Sequence, residues 1–191
     1  MKKQHAARSL EGSHVVLRPI TTQDCDAVTK YTSDPRVTEY LPWAPTNDVA
    51  VIQLFLQQQQ LRWQHGTAYC YAVLQKDTHE MIGAMDLMGL KSGQPGNCEL
   101  GYVFRHDQWG KGYATDAAQL LIHEAFTALN ILIIDAYADI DNIGSHSVMK
   151  KNGMQLINTE RRIVKGEVRS YYHYAIARSD FSSSRKLGVT L

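Results

Sequence analysis

The chain has 191 residues, which is enough for one domain with a buried core that needs neither disulfides nor metal. Lys and Arg total 20 against 19 Asp and Glu, for a formal net charge of +1, and 44% of residues are hydrophobic. This balance gives no electrostatic case for nucleic acid or an anionic membrane as the main partner.

The three cysteines argue against a disulfide framework and against a zinc site. Cys25, Cys70 and Cys98 are odd in number, far apart and placed in apolar stretches. Lys2 and Lys3 are not followed by the apolar stretch of a signal peptide, and no segment reaches the roughly 18 apolar residues of a membrane span. We therefore expect a cytoplasmic protein that binds no metal and no membrane.

The first half of the chain predicts one strand, two helices and a meander of three strands. Prolines interrupt the regular pattern at residues 34–45, where they flank an apolar loop cluster of Tyr40, Leu41 and Trp43. The predicted elements are a strand at 14–20, helices at 21–33 and 47–63, and strands at 67–74, 81–90 and 98–104.

The second half predicts a helix, a strand, a short helix and two final strands. The first of these helices is the clearest periodic signal in the chain, because its apolar residues share one face. The strand at 131–138 is almost continuously apolar, which is typical of a strand buried on both faces in a parallel pairing. The last elements are a helix at 143–152 and strands at 154–164 and 168–177. The apolar face consists of Ala114, Ala117, Ala118, Leu121, Ile122, Ala125, Phe126 and Leu129.

This order of elements predicts one mixed α/β (α+β) domain. We place the domain at residues 13–178. Residues 1–12 and 179–191 carry little apolar content, so we expect flexible tails there.

A glycine-containing loop at residues 108–114 precedes the best supported helix. Gly110 and Gly112 let the backbone approach a ligand closely, and the first N–H groups of a helix have no partner within the helix. These amides and the helix dipole favour an anion, at roughly 0.3–1 kcal/mol for an exposed contact. The loop therefore predicts a phosphate site, to which Lys111 can add charge.

Two other nucleotide-binding patterns fit this loop less well. A P-loop needs Ser or Thr directly after its Lys, whereas Gly112 follows Lys111. A dinucleotide-binding fingerprint fits in part, with Thr115 at the third glycine and Asp135 or Asp139 on the next strand. A dinucleotide-binding fold needs more strand–helix units than follow this loop. The loop also comes after a meander of strands, which such a fold does not have at that point.

Three segments carry a resemblance to a known family. They are ELGYVF at 99–104, WGKGYATDA at 109–117 and NIGSHSVMKKNGM at 142–154. With them, residues 15–176 resemble the GNAT acetyltransferases, and within these the group that acetylates protein N-termini, including ribosomal-protein acetyltransferases. The chain departs from the family pattern at Trp109, where relatives carry Arg or Gln, and at Met149, where many carry Tyr.

The resemblance implies a GNAT fold and acetyl-CoA as the cosubstrate. The fold has a central, mostly antiparallel seven-stranded sheet, a splayed parallel pair and about four flanking helices. The pantetheine arm then inserts between strand 101–104 and strand 131–138, and the glycine loop holds the pyrophosphate. The residues implied in cofactor binding are Tyr102, Val103, Phe104, Gln108, Trp109, Gly110, Lys111, Gly112, Tyr113, Ala114, Asn142 and Ser145.

The chemistry of acetyl transfer assigns further roles. A neutral amine must attack the thioester, so the resemblance implies Glu99 as the acidic residue near the acceptor, acting directly or through water. Met149 offers no phenol to the CoA sulfur, which leaves Ser145 as the hydrogen-bond donor and His146 as an alternative. Tyr40 and Trp43 lie where relatives shape the acceptor site, although core packing is an alternative for both.

The leading acceptor is the N-terminal α-amine of a protein. An α-amine is roughly one tenth neutral at pH 7, whereas a lysine is neutral about once in 2,500, so an N-terminus demands less of its base. We expect direct attack in a ternary complex, because no Cys has a His partner arranged by sequence. The alternatives are polyamines, amino acids or aminoglycosides as acceptors, or a non-catalytic acyl-CoA sensor. We expect a monomer or a homodimer.

Overall fold

The computed structural model describes residues 8–90 and 96–181. Eight strands of these residues form one sheet in the order β1-β2-β3-β4-β5-β6-β8-β7. All neighbours are antiparallel except β5 and β6, which are parallel. The strands are β1 (Leu10–Glu11), β2 (Val15–Pro19), β3 (Tyr69–Gln75), β4 (Met81–Met88), β5 (Gly96–Phe104), β6 (Ile131–Asp139), β7 (Gln155–Val164) and β8 (Glu167–Ala177).

The mixed α/β prediction and the splayed parallel pair are confirmed, but the sheet has eight strands where seven were predicted. The additional strand is β1, which has two residues and is too short to show an alternating pattern. It pairs with β2 through Leu10 opposite Leu17. The last hairpin also inserts its second strand, so that β8 lies between β6 and β7.

The helices start and stop where the sequence provides caps. Asp48 accepts hydrogen bonds from the N–H groups of Ala50 and Val51, and Gly66 ends the same helix in the left-handed conformation. A short helix lies inside the proline-rich stretch that was predicted as a loop, with Asp34 as its cap. The helices are α1 (Cys25–Thr32), α2 (Pro35–Thr38), α3 (Val49–His65), α4 (Tyr113–Thr127) and α5 (Ile143–Lys151).

The helices pack on opposite faces of the sheet. Apolar residues of α4 and α5 join Tyr71 of β3 and Leu100 of β5 in the main core. On the other face, α1 and α3 pack against Cys70 of β3 and Ala84 of β4. Alternation along β3 produces this division, because successive side chains of a strand point to opposite faces.

The described ends of the chain contact the domain. Arg8 forms an ion pair and two hydrogen bonds with the carboxylate of Glu124, which is 2% exposed. Phe181 packs into the main core. The rest of the two predicted tails, residues 1–7 and 182–191, lies outside the described residues. No helix in the described part of the chain is long and apolar enough to cross a membrane.

Candidate active site

The parallel pair separates halfway along the sheet. The register of β5 and β6 runs from Gly96 opposite Ile131 to Glu99 opposite Asp135, and beyond Glu99 strand β5 pairs with β4 alone. Strand β6 continues to Asp139 beside β8. A gap between the two strands therefore opens after Glu99, and β5 presents unpaired backbone groups to it.

The direction of these backbone groups follows from the antiparallel ladder. Arg105 N donates to Ile82 O over 2.9 Å, so every second residue before Arg105 pairs with β4. Val103 belongs to this set, and its backbone is directed to β4. The N–H and C=O groups of Tyr102 and Phe104 point into the gap instead.

The glycine loop leaves the start of α4 open. Gly110 and Gly112 have φ angles of 75° and 86°, in the left-handed region that favours glycine. A Cβ at either position would have no atom within 4 Å, so the approach to the loop is free. Gly112 caps α4 without a side-chain hydrogen bond, and the N–H groups of the first turn remain available to an anion.

Trp109 supports this loop in a way that the sequence did not indicate. Its indole Nε1 donates to Phe104 O over 3.0 Å, which ties the loop to the end of β5. Lys111 Nζ donates to Gln108 Oε1 over 3.1 Å, so the exposed Lys111 is tied to the half-buried Gln108. Trp109 therefore positions the loop, where an Arg or Gln would present a polar side chain to solvent.

A pair of hydroxyl groups lies on the other side of the gap. Tyr102 Oη and Ser145 Oγ are 2.7 Å apart, and Asn142 Oδ1 accepts from Ser145 N over 3.1 Å as the cap of α5. Burial raises the pKa of Tyr102 well above its usual value, so the phenol stays protonated and can donate. The sequence singled out Ser145 but not the hydroxyl of Tyr102, because the two residues are distant in the chain.

A cavity of about 340 Å³ joins the glycine loop, the hydroxyl pair and the α2 loop. It passes through the gap, since Gly110 and Ser145 belong to the face that holds α4 and α5, whereas Leu41 packs on the opposite face. Of the residues predicted from sequence, it is lined by Tyr40, Tyr102, Val103, Phe104, Trp109, Gly110, Ala114, Asn142 and Ser145.

A larger cavity of about 620 Å³ lies between the sheet and the helices α1 and α3. It shares Leu41, Tyr102 and Val103 with the first cavity, and Trp43 is part of its wall. Asp86 on β4 also lines it. The sequence analysis did not single out Asp86, whose only signal was one carboxylate inside an otherwise apolar strand.

Glu99 lies on the same face of the sheet as Asp86 but lines neither cavity. Burial raises the pKa of Glu99, the positive charge of Arg162 opposes this, and the negative charge of Asp135 adds to it. No described residue donates a hydrogen bond to its carboxylate, although His173 and Asp135 bond to each other nearby over 2.7 Å.

The loop that carries Tyr40 is tied to the hairpin β7–β8. Lys165 Nζ donates to Thr38 O over 2.6 Å, and Tyr171 Oη donates to Tyr40 O over 3.3 Å. These bonds hold the loop where Tyr40 and Leu41 line the smaller cavity.

His146 is a structural residue. It is 6% exposed and its Nε2 lies 3.1 Å from Ile140 O, so it does not reach either cavity. Met149 is 1% exposed and packs in the main core. Among the described residues, no group of three His, Cys, Asp or Glu side chains is placed to hold a metal ion.

The sequence and the fold of the chain are similar to those of known proteins. The chain is 28% identical over 176 residues to the uncharacterized N-acetyltransferase p20 of Bacillus licheniformis, covering 91% of this chain and 98% of that one. Its fold matches Mycobacterium smegmatis RimJ in complex with CoA-disulfide, at a TM-score of 0.83 and 18% identity over 95% of both chains. The ribosomal-protein-S5-alanine acetyltransferase of Vibrio fischeri matches with a TM-score of 0.78 and 21% identity, over 91% of this chain and 98% of that one.

These likenesses extend over almost the whole chain, and the family description as an acetyltransferase (GNAT) domain matches residues 14–155. That range includes the gap between β5 and β6, the glycine loop and the hydroxyl pair. The chain therefore belongs to the GNAT acetyltransferase family and has its fold.

Proposed function

We propose that this enzyme transfers the acetyl group of acetyl-CoA to a primary amine by direct attack in a ternary complex. The observation that carries the proposal is the gap between β5 and β6. One of its ends meets the open N-terminus of α4, and its wall holds the Tyr102–Ser145 pair. A long, thin ligand with a phosphate at one end and a reactive sulfur at the other fits this arrangement.

The gap and the glycine loop present groups that suit each part of the acetyl-CoA molecule. The N–H groups after Gly110 and Gly112 suit the pyrophosphate, because glycine permits the left-handed backbone and leaves the approach open. The backbone groups of Tyr102 and the N–H of Phe104 suit the amides of the pantetheine arm, whereas Phe104 O already accepts from Trp109. Gln108 and Lys111 are placed to add polar contacts at the surface.

Direct transfer is favoured over an acetyl-cysteine intermediate. A cysteine must be a thiolate to act as a nucleophile. Burial raises the pKa of the Cys98 thiol to about 12 and that of Cys70 well above its usual value. Both thiols are therefore protonated at neutral pH, which favours attack by the amine itself on the thioester.

The departing thiolate needs a proton or hydrogen-bond donor. The Tyr102–Ser145 pair supplies two hydroxyl groups beside the gap, so Tyr102 provides the phenol that Met149 does not. For the amine, we keep Glu99 as the proton acceptor through water. Its raised pKa brings the carboxylate closer to the range of a useful base.

A protein N-terminal amine remains the acceptor predicted from sequence. Its support is the likeness to the ribosomal-protein-S5-alanine acetyltransferase of Vibrio fischeri, which at 21% identity concerns the fold. A small amine is the second candidate, because the larger cavity is a mostly apolar cleft beside the gap. We propose a cytoplasmic location, since the three cysteines are all free.

The test is release of free CoA thiol from acetyl-CoA with a panel of amines. The panel contains peptides beginning with Ser, Ala, Met or Asp, polyamines, aminoglycosides and aromatic or branched alkyl amines. We expect turnover with at least one class, and initial-rate plots that intersect as required for a ternary complex. Parallel plots would indicate a covalent intermediate. Tight binding of acetyl-CoA without thiol release from any amine would instead identify a non-catalytic sensor.

A further inference from the structure

We propose that the 620 Å³ cavity between α3 and the sheet is the acceptor site, and that it takes a primary amine with a compact apolar body whose ammonium group binds Asp86. The inference rests on the proposed acetyl transfer and names the class of acceptor for it. It also assigns a role to Asp86, which lies outside every motif of the sequence analysis.

The cavity is placed to deliver an amine to the thioester. It adjoins the gap at Gly101, Tyr102 and Val103, on the face opposite α4 and α5. An acetyl group at the end of a pantetheine arm that passes through the gap would emerge at this wall. The ammonium group loses a proton through water to Glu99, and the neutral amine then meets the thioester without either ligand crossing the path of the other.

Asp86 lies directly against the splayed strand. It is opposite Gly101 in the ladder, and a Cβ built on Gly101 would be 2.6 Å from Asp86 Oδ1. Only glycine at position 101 leaves the carboxylate in this place. Because Gly101 precedes Tyr102, whose backbone faces the gap, the carboxylate lies beside the splayed part of β5.

The carboxylate of Asp86 forms no ion pair with a described residue, although the positive charge of Arg62 acts to lower its pKa. No described residue beyond Asp86 itself donates a hydrogen bond to it, and Arg62 on the cavity wall forms no ion pair with it. Burial, followed by the negative charge of Glu99, raises the pKa of Asp86 to about 7. An ammonium group would satisfy the carboxylate and offset this cost of burial.

Gln59 provides an independent sign of a ligand. It is 4% exposed, lines the same cavity, and its Oε1 has no hydrogen-bond partner among the described residues. A buried amide oxygen without a donor costs about 1–3 kcal/mol, so such groups are rare in native proteins. A donor group on the acceptor, away from its reacting amine, would satisfy Gln59; 2-phenylethylamine has no such group and tests only the apolar body and the ammonium group.

The other residues of the cavity wall determine the size and polarity of the acceptor that the cavity can bind. Most of the other wall residues are apolar, so a ligand there is stabilised by burying apolar surface. The volume suits a small molecule with one ring or a branched chain. A polyamine would place a second cation against apolar groups and near the cationic Arg62. The apolar side chains on the wall include Val28, Leu41, Trp43, Val51, Ile52, Phe55, Met85 and Met88.

The first test measures binding and turnover of 2-phenylethylamine by the full chain. Calorimetry with CoA present reports binding, and thiol release from acetyl-CoA reports turnover. We expect kcat/KM for 2-phenylethylamine at least about tenfold above that for spermidine or for a peptide beginning with Ser. A preference for spermidine or the peptide would overturn the inference while leaving acetyl transfer intact.

The second test uses two pairs of variants. Asp86→Asn should weaken 2-phenylethylamine binding about 10- to 100-fold, whereas Asp77→Asn, at an exposed turn, should not. Val51→Trp should close the cavity, whereas Leu54→Trp, on the same helix and similarly exposed at 56% against 53%, should not. All four variants should retain the affinity of the wild type for acetyl-CoA.

The readouts separate the two proposals. Binding of the amine that Asp86→Asn and Val51→Trp both weaken, without any thiol release, would support the cavity and overturn the transferase. Thiol release from other amines, with 2-phenylethylamine unbound, would overturn the cavity alone. Binding that Asp86→Asn leaves unchanged would also overturn the assignment of Asp86.

Discussion

Asp86 and Glu99 are carboxylates on neighbouring strands and one face of the sheet, yet sequence patterns identify only Glu99. Glu99 begins a segment with a family resemblance, and its position in that segment suggested a role. Asp86 has no such segment. Its importance depends on Gly101 across the ladder and on the cavity above it, and both are contacts between distant parts of the chain.

The pH dependence of stability tests the burial of Asp86. Its pKa of about 7 in the folded chain exceeds the value of about 3.9 expected when unfolded. The folded state thus favours the protonated acid, and its contribution is complete below about pH 4 and is lost as pH rises through 7. The charged and titratable groups around it are Glu99, Arg62, Tyr31 and Cys70.

Asp86→Asn should therefore raise the free energy of unfolding relative to wild type at pH 8 but not at pH 4. Urea unfolding at the two pH values measures this difference. Asp77→Asn serves as the control, because Asp77 is exposed. A change of equal size at both pH values would show that the carboxylate is not buried as described.

The Tyr102–Ser145 pair gives a second prediction at this scale. Ser145→Ala and Tyr102→Phe should each lower kcat about 10- to 100-fold, because each removes one hydroxyl from a shared hydrogen bond. The double variant should lose little more than the worse single variant, since the two groups act as a unit. Ser147→Ala, at an exposed position on α5, is the control. Unchanged kcat in Ser145→Ala would exclude this role.

At the scale of elements, local patterns predicted most of the secondary structure. The stripe of α4 and the apolar run of β6 are long and regular, and both are found as predicted. Local patterns could not predict which strand of the final hairpin pairs with β6, because either strand can join a sheet edge. Burial explains the outcome: Tyr174 and Ile176 of β8 are 1% and 3% exposed, whereas Leu156 of β7 is 51% exposed.

The glycine loop provides the prediction for this scale. Gly112→Ala and Gly166→Ala place alanine at similar positive φ angles of 86° and 81°, so each should cost about 1–2 kcal/mol of stability. Gly166 lies in the β7–β8 turn, away from α4. Only Gly112→Ala should also raise KM for acetyl-CoA, by about tenfold or more. Equal KM values in the two variants would contradict the proposed phosphate site.

At the scale of the whole molecule, the sequence could indicate one domain with a split sheet but not how its cavities connect. The gap follows from a register that ends at Glu99 and Asp135, and the cavities follow from how α2 and α3 cover one face. These depend on tertiary packing rather than on local propensity. For this reason the residues of the proposed acetyl-CoA site were more predictable from sequence than those of the proposed amine site.

The gap in the sheet also has a consequence for how the two products leave the enzyme. The glycine loop opens on the face of α4 and α5, and the larger cavity opens on the face of α1 and α3. Under the proposed reaction, spent CoA withdraws through one side of the molecule while the acetylated product leaves through the other. The two products can therefore dissociate in either order. An inhibitor that filled both sites would have to extend through the gap in the sheet.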